Sequence, residues 1–432
     1  MPHIAVLGAG IAGITSASKL IDQGFDVTII DRQAYPAMET SFANGGQLSA
    51  SNAEVWNATS TILKGLKWLL RKDAPLSMNL WPSWHKYSWL AEFVAAIPRH
   101  DANTIETARL AQLARGHLLE MASRAGIDFD LEKRGIIHFY KDHKEFAAGR
   151  KATALLARAG LDREEMEAEE LRRIDPRLPQ DILGGFYTAS DFSGDIHKFS
   201  TGLARHIAAR GGRFMMNVQI GSVQAEADHV VINVSRDGHD EEQFQFDGVV
   251  VAAGTGSRDL AAQFGDRVNV YPVKGYSITV QLDDAASRRA APVVSLLDER
   301  AKVVTSRLGA DRFRIAGTAE FNGSNRDIRA DRIKPLLDWS RANFPDVSTR
   351  HATPWAGLRP MMPNMMPRMG QGRSDRVFYN TGHGHLGWTL SAATADIVAR
   401  QMASAYFGLQ TKPDTRRRAA ASVIQPPASS LS

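Results

Sequence analysis

The chain has 432 residues, 44% apolar and 23% charged, which suits a globular protein of about two ordinary domains and excludes a disordered or fibrous one. Lys plus Arg number 52 against 47 Asp plus Glu, too small and too scattered an excess to argue for nucleic acid as a partner. Cysteine is absent, which excludes disulfides, thiolate-ligated metals, a thiol nucleophile and a cysteinyl bond to a cofactor.

No stretch approaches the roughly 18 unbroken apolar residues of a membrane-spanning helix, and no basic, then apolar, segment precedes the first strand. The expectation is therefore a cytoplasmic protein. In chain order, His3–Leu7 reads as a strand, Gly8–Gly13 as a tight turn, Ile14–Gln23 as a helix and Phe25–Ile30 as a second strand ending in Asp31. Residues 60–180 read as mainly helical, as in Thr104–Ala125 and Lys144–Ala159, with one strand at Gly135–Tyr140. Lys64, Lys67, Arg71 and Lys72 interleave with Leu63, Leu66, Trp68, Leu69 and Leu70, the pattern of an amphipathic helix lying either on a membrane surface or on the protein's own core. Residues 197–210 read as a helix, and Arg213–Ile220, His229–Val234 and Phe244–Phe246 as strands, the last two joined by a hairpin around Asp237 and Gly238. Gly248–Ala253 has the all-apolar pattern of a strand buried on both faces. Between 271 and 320, four strand-like segments separated by turns predict an antiparallel sheet; Ile328–Phe344 predicts a helix, Val377–Asn380 a strand and Thr389–Phe407 a last helix.

Gly8-Ala9-Gly10-Ile11-Ala12-Gly13 matches G-x-G-x-x-G between a strand and a helix, the context in which this motif grips a dinucleotide pyrophosphate. Gly8 permits the turn, Gly10 lets phosphate approach the backbone, and Gly13 lets helix and strand pack closely. Asp31 ends the second strand, where an acid accepts hydrogen bonds from ribose hydroxyls and disfavours a 2′-phosphate. This motif fits NAD and FAD equally. Three further segments favour FAD. The run Asp247–Ser257 ends a buried strand in Ala253-Gly254, bringing backbone to the carboxyl edge of a doubly wound sheet. Thr40–Gln47 offers small hydroxyls, glycines and amides where an extended cofactor would pass. Asn380–Thr389 is a Gly/His turn opening a helix whose N-terminus stabilises negative charge, as on a reduced flavin. The structural alternative for each is an ordinary loop or helix cap.

The segments VLGAGIAGITSA, DRQAYPAMETSFANGGQLS, PVKGYSITV, GLRPMMP and NTGHGHLGWTLS, in this order, resemble the FAD-dependent D-amino acid oxidase superfamily, and most closely its bacterial D-amino acid dehydrogenases. The resemblance runs from about residue 3 to 405. It implies an α/β protein with a discontinuous Rossmann-like FAD-binding domain (1–58, 195–270 and 355–410), an antiparallel-sheet plus helical substrate domain (59–194 and 271–354) and a flexible tail (411–432). It implies cofactor contacts from Gly8, Gly10, Ile11, Ala12, Gly13, Asp31 and Arg32; from Ser41, Asn44, Gly46 and Gln47; from Ile220, Ala253 and Gly254; and from Gly384, His385, Leu386, Gly387, Trp388 and Thr389. Arg359, in Gly357-Leu358-Arg359-Pro360, matches the arginine that clamps the substrate carboxylate, a task its planar fork suits. Tyr276 and His385 are candidates for orienting the substrate amine.

The implied reaction moves a hydride from Cα of a D-amino acid to flavin N5, leaving an imino acid, with electrons passed to a quinone or another carrier, and with peripheral contact at the inner face of the cell membrane. A secondary-amine oxidase acting on hydroxy-D-proline or sarcosine-like substrates, or a non-catalytic flavin-binding subunit, are the alternatives. Two departures from the family pattern stand out. Met361-Met362-Pro363-Asn364-Met365-Met366-Pro367 replaces the usual Thr-Pro-Asp after Arg-Pro, and His385 stands where relatives carry a smaller residue. His383 and His385 have no acidic or thiol neighbour in sequence, so no metal is expected.

Overall fold

The computed structural model describes residues 1–68, 75–236 and 241–408. Two sheets organise them. The smaller has six strands in the order Arg368–Gln371, Val377–Thr381, Gly248–Val251, His3–Leu7, Asp26–Ile30 and Arg213–Met215. Its five inner pairings are parallel except for the edge hairpin, where Arg368 to Gln371 runs antiparallel to Thr381 to Phe378. Strand alternation sorts the first strand's side chains. Ile4 and Val6 meet the helices Ile11–Asp22, Ile196–Ala209 and Gly387–Phe407, while Ala5 and Leu7 meet a three-stranded antiparallel ribbon, Gln219–Ala225, Val230–Ser235 and Glu242–Phe246. Both faces are covered, which is why Gly248–Val251 is apolar throughout.

The larger sheet has nine strands. Eight follow the order Ala352–Met361, Tyr271–Gln281, Arg312–Phe321, Val303–Leu308, Ser295–Asp298, Ile136–Tyr140, Gly184–Thr188 and Glu164–Glu167, and Leu76–Met78 pairs beside Arg312–Phe321. It is mixed rather than purely antiparallel, since Ile136–Tyr140 runs parallel to Ser295–Asp298 and Leu76–Met78 parallel to Arg312–Phe321. Helix Ala330–Asn343 covers one face through Ile333, Leu336 and Trp339.

Three expectations need correction. Arg213–Ile220 is not one strand: Asn217 takes a left-handed φ of 57°, and the chain leaves the small sheet at Met215 and enters the ribbon at Gln219. Ala352–Met361 pairs along its whole length with Tyr271–Gln281, so the C-terminal segment expected in the cofactor unit begins in the larger sheet instead and reaches the small one only at Arg368. The 60–180 region also carries strands at Leu76–Met78, Glu164–Glu167 and, just beyond, Gly184–Thr188. The Asp237-Gly238 turn, the 411–432 tail and residues 69–74 of the amphipathic segment lie outside the described residues. Among the described residues no helix is long and apolar enough to cross a membrane, and no cluster of His, Asp and Glu has metal-binding geometry.

Candidate active site

A cavity of about 1010 Å³ runs between the two sheets. At one end the nucleotide turn assigns each glycine a separate task. Gly8 has φ +110°, and a Cβ there would stand 2.6 Å from the Ala252 carbonyl. Gly13 would drive a Cβ into the Gly8 carbonyl, so it serves helix–strand packing and does not line the cavity. Gly10 has open space, the nearest atom to its would-be Cβ being Ser41 Oγ at 3.5 Å, which leaves the approach that a pyrophosphate needs. Gly10 is also the N-cap of the first helix. With no side chain to cap it, the Ile11 N–H donates to Ser41 Oγ at 3.0 Å. Asp31 accepts from the Ala9 and Gln33 N–H groups at 2.6 and 2.8 Å, and burial raises its pKa. Arg32 pairs with Glu39 at 2.9 Å on the rim.

Ile11, Ala12, Asn44, Gln47, Ile220, Ala253 and Gly254 line the same cavity. Gln47 gives its amide N–H groups to Ser295 Oγ and the Leu296 carbonyl, both at 2.9 Å, and so ties the cofactor trench to the larger sheet. Asn44 caps the Gly46 N–H at 2.9 Å. Gly46, expected among the cofactor contacts, is not in the cavity wall. Its φ is +74° and a Cβ there would press on Ser306, so packing explains it. At the far end, Gly384, His385, Leu386, Gly387, Trp388 and Thr389 all line the wall, with Gly387 starting the last helix. Thr389 Oγ1 accepts from the Ser49 N–H at 3.3 Å, fixing the two chain segments that meet there.

Arg359 enters this cavity from the larger sheet. Its guanidinium lies over Gly275 of the adjacent strand, where any Cβ would collide with it. Its Nη1 donates to the Thr318 carbonyl at 2.9 Å. Thr318 has φ +61°, and the pairing between Tyr271–Gln281 and Arg312–Phe321 shifts register just there, so a bulge turns that carbonyl toward the arginine. Among the described residues no carboxylate lies within ion-pair distance of Arg359, and burial pulls its pKa down to about 10, which leaves it charged at neutral pH. A desolvated, unpaired cation facing a cavity calls for an anionic ligand.

His385 stacks on Trp56 with ring centroids 4.7 Å apart. Neither ring nitrogen has a partner in good hydrogen-bonding geometry, although the Asn52 backbone lies beside the ring. Burial, then the charge of Arg359, lowers its pKa to about 3, so it is neutral and a very weak base. Tyr276, the other candidate for orienting the amine, has its hydroxyl already engaged. It touches the cavity, but its hydroxyl donates to Glu320 Oε2 at 2.5 Å, and its ring packs in the core beneath helix Ala330–Asn343. Strand alternation puts Gly275 and Ser277 on the cavity side and Tyr276 on the other. Sequence reasoning missed Gly275, Thr318 and Trp56. Gly275 left a signal, a lone glycine inside a β-rich run, which marks close approach by another group. Thr318 left none.

The chain matches the family model for FAD-dependent oxidoreductases, DAO, over residues 3–401. It belongs to that family. D-amino acid dehydrogenase 3 of Mesorhizobium japonicum is 59% identical, covering 94% of this chain and 98% of that protein. D-amino acid dehydrogenase of Paramagnetospirillum magneticum is 42% identical, covering 92% and 94%. Glycine oxidase from Bacillus cereus has a similar fold, with a TM-score of 0.68 at 21% identity over 95% of this chain and 96% of that one. As a DAO-family oxidoreductase the protein uses FAD, and its residues fit that cofactor: the open approach at Gly10, the acid at Asp31 and the helix start at Gly387 lie along one continuous cavity.

Proposed function

We propose that this enzyme oxidatively deaminates D-amino acids and passes the electrons to a membrane quinone or another carrier. The observation that carries the reading is Arg359: a half-buried guanidinium without a carboxylate among the described residues, held over Gly275 by the Thr318 carbonyl and facing the cavity near the 384–389 turn. A free amino acid brings the missing anion. Two charge-assisted hydrogen bonds from Arg359 fix the carboxylate and, with it, the direction of the Cα–H bond. FAD, when bound, accepts the hydride that leaves Cα. Neutral His385 and the ring of Trp56 bound the space for the rest of the substrate without adding charge. The deamination test is anaerobic bleaching of the bound flavin by a panel of D- and L-amino acids, hydroxyprolines and sarcosine. Fast bleaching by D-amino acids supports the reading, and bleaching by sarcosine or hydroxyproline alone replaces it with the secondary-amine one.

The acceptor half of the reading has its own support. One lobe of the cavity is apolar, lined by Ile62, Leu76, Met78, Trp89, Leu90 and Phe93. The same stretch of chain exposes Leu63, Leu80, Trp81, Trp84, Tyr87 and Val94, with Trp81 and Trp84 79% and 83% exposed. Aromatic side chains exposed in this way suit a bilayer interface, and an apolar lobe behind them suits a lipid-soluble acceptor. Residues 80–94 are thus a second candidate for the membrane contact, beside the basic segment suggested by sequence, of which residues 69–74 lie outside the described residues. Trp81→Ser with Trp84→Ser is expected to cut sedimentation with anionic phospholipid vesicles and reduction of a short-chain ubiquinone, while leaving flavin bleaching intact. Peroxide formation in air matching the quinone rate would make the protein an oxidase instead.

A further inference from the structure

Oxidation of an α-amino acid needs the amine lone pair, yet the free amino acid carries an ammonium at neutral pH. One proton must leave before the hydride does. Arg359 is a cation, and His385 lies in the field of Arg359 and Lys302, so neither accepts it. A buried histidine just behind the cavity wall has the geometry for that task. His138, on strand Ile136–Tyr140, is buried with both ring nitrogens engaged: Nε2 is 2.9 Å from Ser51 Oγ and Nδ1 is 3.0 Å from Glu299 Oε1. Ser51 and Glu299 both line the cavity.

The directions of these bonds follow from the chemistry of the partners. Lys302 donates to Glu299 at 2.6 Å, which keeps the carboxylate ionised and able only to accept. His138 Nδ1 therefore carries the proton, and Nε2 accepts the Ser51 hydroxyl. Ser49 Oγ stands 2.9 Å from Ser51 Oγ and orients it from behind. Ser51 lines the same cavity as Asn52, His385 and Arg359, so its hydroxyl borders the space that Arg359 faces.

We propose that Ser51, His138 and Glu299 form a proton relay that deprotonates the bound substrate's ammonium before hydride transfer. The proposal rests on the deamination reading above and deepens it. An ammonium N–H hydrogen-bonded to Ser51 Oγ gives up its proton to that oxygen as the serine's own proton passes to His138 Nε2. The N–H electron pair stays on nitrogen and becomes the lone pair that assists loss of hydride from Cα. The new imidazolium is balanced by Glu299, and the proton returns to solvent after product leaves. No oxidant beyond the flavin is involved. Ser51 is the catalytic residue in this scheme, and His138 and Glu299 act through it.

The charges around His138 set its response. Glu299, backed by Lys302, faces Nδ1 from the turn after Ser295–Asp298, while Asp191, paired with Arg115, and Arg163, beside Tyr140, approach from the other packed segments. Glu54 and Glu145 act on Lys302 from across the cavity. Burial, then Arg163, lowers the His138 pKa, so the ring is neutral at physiological pH, while Glu299 and Asp191 act the other way and favour the imidazolium once a proton arrives.

The test is the pH dependence of anaerobic flavin reduction, as limiting rate over dissociation constant, with the fastest amine of the panel above. The wild type is expected to be nearly flat from pH 7 to 10. His138→Gln and Ser51→Ala are each expected to fall about 100-fold at pH 7 and to return to within about fivefold of wild type at pH 10, where the substrate reaches the site already as free amine. Glu299→Gln should show the same shape at about tenfold. Flavin content and melting temperature are read alongside for each variant. A loss that is equal at every pH means a structural network, and overturns the relay. So does an unchanged rate in the two serine and histidine variants, or a wild-type profile that climbs tenfold per pH unit up to the substrate's own amine pKa. Bleaching of the wild-type flavin judges the deamination reading separately, since the relay concerns only the shape of the profile.

Discussion

The two faces of strand Tyr271–Gln281 carry charge in opposite ways. On the face turned to helix Ala330–Asn343, Lys274 donates to Asn325 at 2.6 Å and to the Asp327 carbonyl at 3.0 Å, and Glu320 collects Tyr276, Lys274 and Arg329 within 3.7 Å. Every charge there has a protein partner. On the cavity face, Val273 and Gly275 lie beside Arg359, whose only protein acceptor among the described residues is a carbonyl. Buried ion pairs are poor evidence of function, because a chain can build them for its own cohesion. A half-buried cation that the chain leaves without a carboxylate is better evidence, because its desolvation cost is offset only when a ligand arrives.

That contrast can be broken first at Arg359. Arg359→Ala is expected to lower kcat/KM for amino acid substrates by ~2–4 kcal/mol, roughly 30- to 1,000-fold, with flavin content unchanged. Steady-state kinetics beside the flavin absorbance checks this, and near wild-type turnover would remove the arginine from the site. Acid sensitivity comes next. With its folded pKa at about 3 against 6.5 for a free imidazole, His385 stays neutral while the unfolded chain takes up a proton. Its contribution is complete above about pH 6.5 and is lost as pH falls toward 3, amounting to about 2 kcal/mol by pH 5. Denaturation of His385→Gln at pH 7 and pH 5 should therefore show a shallower loss than wild type.

Gly275→Ala is a smaller and more local change. The added methyl displaces the guanidinium while the strand keeps its pairing, so KM for carboxylate substrates should rise about tenfold with little change in melting temperature. Tyr276→Phe probes the opposite face. Loss of its hydrogen bond to Glu320 should cost about 1 kcal/mol of stability, seen in urea unfolding, and leave kcat within experimental error. A large kinetic effect there would return Tyr276 to the site.

The same contrast explains what could be read from sequence. The nucleotide turn is local: its glycines, strand and helix lie within some thirty residues, and each residue type answers to one steric need. Arg359 was legible only through its resemblance, because its surroundings come from the register of three strands far apart in the chain. The facing of Tyr276 could not be read, because a strand offers no sign of which face is which when both are buried, the case described by its pattern of continuous burial. His138, Ser51 and Glu299 are separated by 87 and 161 residues and follow no spacing rule, so only the folded chain brings them together.

The order of strands in the small sheet has a consequence for biosynthesis. Its middle strand, Gly248–Val251, lies between the first strand of the chain and one that ends at Thr381, and the wall is completed only at Thr389. A nascent chain therefore leaves the outer edge of Gly248–Val251 unpaired until Val377–Thr381 is made, more than 120 residues later. Arrival of that late strand, rather than the glycine turn made in the first moments, then sets when the chain can close around its cofactor.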